Sequence, residues 1–481
     1  MKQIHECYIK VLSPLHIGCD EIYEPTGFVV DESRETLTAF DPVAFVSRMD
    51  KKDKTRFSEI CKKGTVESIL EMYQFLRRKP AEGKTVTLCK GFISHYNKTL
   101  SMSIKDRAKI QKELNNFAIS RTSFLASDER AYIPGSALKG SLRTAYLNHA
   151  NRIQHPETPG GKNAAKDLEK KLLFYSDFSA DPFRLVKVSD FMPVGEVQTR
   201  IMYAVDIKKE SGMAARGPFQ ILEVVVPGAI FRGQIAVEKP VSDGVIKKPV
   251  QLQVLLDSSR NFFSKEHKRE IEELKTTGIS AMEGMFRPEA IPIRVGRHSG
   301  AESMTIEGHR DIKIMGGKGK KDRWDDHATT IWLASDESKP GVVKNCRPFG
   351  WAEIGTLDPL IEKKFNDREK EWAGKIFNQQ ASLLIQSDSG IHEIDASRKG
   401  SQVEPKKVPE PEIWEKVILL YAPNTQMISA GKEGKTATTK EKKIIPEPLL
   451  EKMIKKKKTV TVTLKVELIG GKAYRIIEAK E

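Results

Sequence analysis

The sequence predicts an α+β fold spread over more than one domain. Strand-length apolar segments recur between amphipathic helical segments instead of forming one block. The 481 residues, 39% apolar and 30% charged, supply more than one hydrophobic core under a heavily charged surface. The C-terminal stretch alternates strictly, with Val460, Val462, Leu464, Val466 and Leu468 on one face and Thr459, Thr461, Thr463, Lys465 and Glu467 on the other.

Taken in chain order, residues 4–12 (IHECYIKVL) predict a first strand, ended by Ser13-Pro14 and the loop Leu15-His16-Ile17-Gly18. Residues 22–30 and 36–40 predict two further extended segments, and Asp41-Pro42 marks a helix start, with Asp at N-cap and Pro at N1. Helices are expected near 55–78 and 103–120. Residues 132–150 (YIPGSALKGSLRTAYLNHA) read as a strand end, a Pro-Gly turn and a helix from about Ser136, with Leu138, Leu142, Ala145 and His149 toward the core. A β-hairpin about Pro227-Gly228 is expected over 219–237, then a helix over 258–277. Gly- and Arg-rich stretches follow at 291–300 and 314–323, then RPFGWAEI (347–354) and a charged helix over 358–385. Residues 395–412 read as a linker. Residues 447–458 read as a short helix ending in four lysines, and 459–479 as a terminal hairpin turning at Gly470-Gly471.

The net charge of +15 favours an anionic partner: nucleic acid, an anionic membrane or an acidic protein. No stretch approaches a membrane span, and the N-terminus MKQIHECYIKVL lacks the apolar core of a signal peptide. Cys7, Cys19, Cys61, Cys89 and Cys346 are widely spaced and odd in number, which speaks against a disulfide framework or a zinc ribbon and for a reducing, cytoplasmic setting. No histidine pair has metal-ligand spacing, so neither metal nor cofactor is expected.

The strongest chemical signal is at 134–143. A helix N-terminus offers free amides and a positive dipole end, Gly135 permits close approach of a phosphate, Ser136 opens the helix, and Lys139 and Arg143 place two cations one turn apart. That arrangement suits a sugar-phosphate chain gripped without base reading; an ordinary capped, solvated basic face fits the same residues. The segment lacks Walker spacing. Arg294, Arg297 and His298, and further on Gly316, Gly317 and Lys318, suit phosphate contact by the same logic, or a solvated loop. There is no GxSxG nucleophile motif. His16, or an aspartate of the acidic loop (Asp20, Asp31), leaves a metal-independent or metal-assisted ribonuclease open as the alternative.

The order LHIG, YIPGSALKGSLR, a Gly/Arg-rich segment and PFGW resembles the RAMP superfamily of CRISPR proteins. Within it, IRVGRHSG and RPFGWAEI are most similar to the Csm-family subunit five of type III-A effector complexes, over roughly residues 4–390. The resemblance implies tandem ferredoxin-like (RRM-like) domains with inserted helices: 1–240, then 241–395, then a linker and basic extension with a β-hairpin over 396–481. It implies a non-catalytic subunit that binds crRNA, caps the complex near the crRNA 3′ end, and serves crRNA maturation and antiviral defence. Implied partners are crRNA and through it target RNA, other Csm-type RAMP subunits, the large polymerase-like and small subunits, and host nucleases, with no membrane. His16 and Gly18 then lie on the loop after the first strand, Ser136, Lys139 and Arg143 on the backbone-gripping helix, and Arg294, Arg297 and Gly316-Gly317 on the RNA-facing region.

Overall fold

The computed structural model describes residues 2–102, 107–215, 217–240, 244–279, 284–316, 319, 321–389, 412–422, 427–432, 435–439, 444–454, 460–470 and 473–480. The chain divides into two compact units, Met1–Ile385 and Gln386–Glu481.

The first unit is built on two sheets. Its first sheet uses β1 (Gln3–Val11), β2 (Val186–Val188), β3 (Ile230–Val237), β4 (Ile291–Arg294) and β5 (Trp351–Thr356), in the order β4-β5-β1-β3-β2, every neighbour antiparallel. Strands from both sides of residue 240 therefore share one sheet. Helix α1 (Gly135–Gln154) runs between β1 and β2, and α2 (Leu252–Lys275) between β3 and β4; the two pack on each other and on this sheet. Cys7, Tyr8 and Ile9 are all buried, because both faces of β1 are covered. On the Tyr8 face, α3 (Pro359–Ser389) brings the Phe365 ring edge-on to Tyr8 at 5.2 Å.

Helix α1 buries Leu138, Leu142 and Ala145, as its spacing predicts. On the next turn Asn148 and not His149 takes the core position. Its side chain bonds the Thr305 carbonyl (3.1 Å) and the Glu307 amide (2.9 Å), so a polar residue is satisfied there. The helix start Asp41-Pro42 is also observed, with the Asp41 carboxylate accepting from the Ala44 amide at 2.7 Å.

The second sheet runs Gly18–Ile22, Ile119–Thr122, Gln220–Val225, Thr199–Lys208, Lys84–Leu88, Thr36–Ala39, Phe28–Asp31, and Thr330–Ser335 pairs the far half of Thr199–Lys208. The expected hairpin about Pro227-Gly228 is corrected here. Gln220–Val225 pairs Thr199–Ala204 in the second sheet, while β3 pairs β1 in the first. The turn carries the chain from one sheet to the other.

The second unit is a closed barrel of β6 (Glu412–Ala422), β7 (Met427–Lys432), β8 (Lys435–Thr439), β9 (Val460–Gly470) and β10 (Ala473–Lys480), with α4 (Glu447–Ile454) between β8 and β9. The expected terminal hairpin is β9–β10, with Val460, Val462, Leu464 and Val466 buried inward. It is two-fifths of a barrel and not a free extension. The linker expected at 395–412 and the lysines 455–458 lie outside the described residues, Glu412 excepted.

Gly350 has φ +82, and a Cβ there would stand 2.3 Å from the Val295 carbonyl oxygen. Gly350→Ala is expected to lower stability by about 2–4 kcal/mol, from left-handed strain plus the clash, read as a drop in urea midpoint.

Candidate nucleic-acid interface

Four stretches that the sequence singles out meet at one backbone junction. The Arg297 amide donates to the His16 carbonyl at 2.8 Å, the Gly350 amide to Pro14 at 2.9 Å, and the Val295 amide to Gly350 at 2.9 Å. From α1, the Ser141 hydroxyl donates to the Arg294 carbonyl at 2.7 Å. Gly296 (φ +90) is required by this closeness, because a Cβ would stand 2.4 Å from the His16 oxygen.

Inside the junction, His16 is 0% exposed. Its Nδ1 donates to the Glu223 carbonyl at 2.8 Å, leaving Nε2 bare and without a partner among the described residues. Burial holds its pKa below the usual range, reinforced by the charge of Arg297. Arg294, expected to face RNA, is corrected: it is 2% exposed, pairs with Glu270, donates from Nε to the Phe349 carbonyl (3.0 Å), and lies 4.8 Å over Trp351. Trp351 Nε1 donates to the other Glu270 oxygen at 2.6 Å, so this buried pair is fully enclosed by structure. His298 (φ +64) stacks on Trp332 at 4.7 Å and donates to Gln220 at 3.2 Å. Its pKa is pushed down to about 3, by burial first and then by Arg297 and His16.

Solvent-facing groups surround the junction. Arg297, Gly18 and Ser136 are exposed, and Arg297 has no ion-pair partner among the described residues. Gly135 is buried and serves packing: a Cβ would meet the Val188 carbonyl at 2.4 Å, and its amide already donates to Asp190 at 2.8 Å. The expected phosphate approach at that amide is thus corrected, since a carboxylate holds the place. Gly316 lies in a separate ribbon of Ile312–Ile314 and Arg323–Asp325, its amide on Asp322 at 3.0 Å; Gly317 and Lys318 lie outside the described residues. Asp31 closes a turn onto Ser33 and Arg34, which lowers its pKa. Asp325, Asp326 and His327 approach one another closely enough for a metal, but Asp326 and His327 are exposed, Asp325 is half-buried, and the His327–Asp326 bond of 2.6 Å holds two of them together.

On the other flank of α1 lies an open cleft of about 700 Å³ that reaches from Lys139 past Arg184 and Lys187 to Phe178. Arg143 borders it but is neutralised by Glu169 (2.8 Å) and Asp181 (3.0 Å) and lies over Phe183. Lys139 and Arg184 have no ion-pair partner among the described residues, and Lys187 meets Glu238 only at 3.7 Å. Burial, and then the charge of Lys187, lower the Lys139 pKa, with Asp181 opposing them. Phe178 is 75% exposed, with the Arg184 guanidinium 4.9 Å from its ring. Two short turns capped by Asp177 and Asp181 set these groups. Sequence reading missed Phe178, Arg184 and Lys187, although DPFRLVKV interleaves aromatic and basic residues.

Residues 8–276, more than half of the chain, match the family model of the RAMP superfamily. This chain belongs to the RAMP superfamily. Within it the chain is similar to the CRISPR system protein Csm5 of Enterococcus italicus, 24% identical over 222 residues, which is 44% of this chain and 54% of that relative. The match thus spans about half the length of that relative. A chain in the cryo-EM structure of a Csm–crRNA–target RNA ternary complex of a type III-A CRISPR-Cas system is similar at 18% identity, TM-score 0.48, covering 73% of this chain and 100% of that one. T. onnurineus Csm5 is similar at 17% identity, TM-score 0.45, covering 72% and 99%. Among the described residues no helix is long and apolar enough to cross a membrane.

Arg294→Ala is expected to cost about 3–5 kcal/mol in a urea titration, because Glu270 is left charged and buried; Arg297→Ala should move stability by no more than about 0.5 kcal/mol. For His298 the folded chain binds its proton only near 3, while the unfolded chain binds it below about 6.5. Stability therefore falls as pH falls from 6.5 toward 3, and His298→Phe should show a shallower acid loss in pH-dependent unfolding.

Proposed function

We propose that this chain is the Csm5-type subunit of a type III-A Csm effector complex, holding crRNA by its sugar-phosphate backbone near the guide 3′ end without cutting it. The observation that carries this is the cleft beside α1, where Lys139, Arg184 and Lys187 are incompletely neutralised and Phe178 stands exposed. Cations grip phosphates without reading sequence, and an exposed ring accepts whichever base lies over it. Arg297 extends the positive surface to the junction. The succession β1-α1-β2-β3-α2-β5 with order β5-β1-β3-β2 supports reading the first sheet and its helices as one ferredoxin-like unit of the kind the superfamily uses.

The ribonuclease alternative has less support. His16 Nε2 is enclosed, so a substrate hydroxyl has no path to it in this conformation, and the Asp31 carboxylate is engaged in its own turn. In this reading the partners are crRNA, target RNA paired to it, the neighbouring RAMP subunits, the large polymerase-like and small subunits, and nucleases that trim the guide.

Lys139→Ala/Arg184→Ala/Lys187→Ala is expected to weaken crRNA binding at least tenfold near physiological salt and to flatten the log–log salt dependence by about two to three units in a filter-binding series. An unchanged slope would remove the cleft from the RNA path.

A further inference from the structure

The C-terminal barrel has a connectivity of its own. Along the ring, β6 pairs β7 and β9, β7 pairs β8, β8 pairs β10 in parallel, and β10 pairs β9. The strand order is thus first, second, third, fifth, fourth, and closed. Helix α4 falls between the third and fourth strands and places Leu449 in the barrel core. The register of β6 shifts between Trp414 and Val417, where Lys416 takes φ +54, so that one strand serves both β9 and β7. A closed five-stranded barrel of this order, with that helix and a bulged first strand, is an OB-fold.

Fold alone does not assign a ligand; two features of the surface do. Ile413, Ile418 and Leu420 of β6 point outward and are 62%, 52% and 53% exposed. Their cross-strand neighbours are short or polar: Leu420 faces Ser429, and Ile418 faces Thr461. The aliphatic side chains therefore stand above the sheet as a row that a solitary barrel has no reason to expose. Second, β6 and β7 carry the lysines Lys416 and Lys432. Lys435 is tied to Glu412 at 2.9 Å, whereas Lys416 and Lys432 have no ion-pair partner among the described residues. A partner that offers flat apolar faces and regular negative charge together is a single-stranded nucleic acid, because a duplex keeps its base faces stacked inside.

We propose that the C-terminal barrel is a second nucleic-acid site, which takes a single strand across β6 and β7 with bases against Ile418 and Leu420 and phosphates toward Lys416 and Lys432. This site is independent of the cleft beside α1.

The test uses the full chain carrying Lys139→Ala/Arg184→Ala/Lys187→Ala, so that the cleft contributes little. Binding of a fluorescein-labelled 15-nucleotide oligouridylate and of a duplex of equal length is followed by anisotropy across a salt series. Residual single-strand binding is expected, and Ile418→Asp/Leu420→Asp should weaken it about tenfold or more with little change for the duplex. Lys416→Glu/Lys432→Glu, which leaves the aliphatic row in place, should flatten the salt slope by about two. Far-ultraviolet circular dichroism of both variants should match the parent. The proposal is overturned if no oligouridylate binds once the cleft is disabled, if both variants bind as the parent does, or if duplex and single strand lose affinity equally.

Discussion

The first unit depends on one close approach, the Arg297 amide against the His16 carbonyl. At 2.8 Å there is no room for a side chain between the two strands, so Gly296 is the residue that permits it. Gly350 permits the neighbouring contact with Val295 for the same reason. This node lies where the chain leaves the first sheet for the second. The Leu12 and Ser13 amides share the Trp351 carbonyl on one side, and Leu15 bridges to Val225 on the other. The interior beneath is polar: the Glu223 carboxylate takes Lys84 at 2.6 Å and the Thr122 amide at 3.3 Å, and its carbonyl takes His16 Nδ1, while His16 Nε2 stays bare. Four sequence motifs that might each be read as a binding loop are thus first of all one piece of architecture.

That architecture decides which cations remain available. Arg294 is spent on Glu270 in the core, Arg310 on Glu266, and Arg143 on Glu169 and Asp181. Each is enclosed enough that removing one partner would strand a charge, so none is free to follow a phosphate. Arg297 and Arg184 are left exposed and Lys139 half-buried, all three without an ion-pair partner among the described residues. Ser141 ties one flank of α1 to β4 while Lys139 lines the cleft on the other, so the helix joins the junction to the positive surface.

The two units divide the chain's positive charge without dividing its character. In the first unit charge is concentrated on a few side chains among many internal ion pairs. In the second unit it is an excess of the sequence, 15 Lys and Arg against 8 Glu over residues 412–480.

Local rules made much of this legible. The Asp41-Pro42 cap, the Leu138–Leu142–Ala145 face and the inward row from Val460 to Val466 need only periodicity and capping, and they stand as the sequence predicts. The family signal was also local, since the motifs that carry the resemblance are short runs of the sequence such as LHIG and YIPGSALKGSLR. What periodicity does not contain is which strand meets which. Gln220–Val225 and Ile230–Val237 read as a hairpin but part into different sheets, and β6 escaped notice because the bulge at Trp414–Val417 breaks its alternation. Nor does residue type contain burial: Arg294 and Arg297 look alike in sequence, and only the packing of α2 and Trp351 puts one in the core and the other in water. Sequence alone determined the capped and periodic elements, the overall charge and the family, since these depend on neighbours in the chain. The tertiary structure decided partners and exposure, because a hydrogen bond or an ion pair is satisfied by whatever the fold brings near, however far away it lies in the chain.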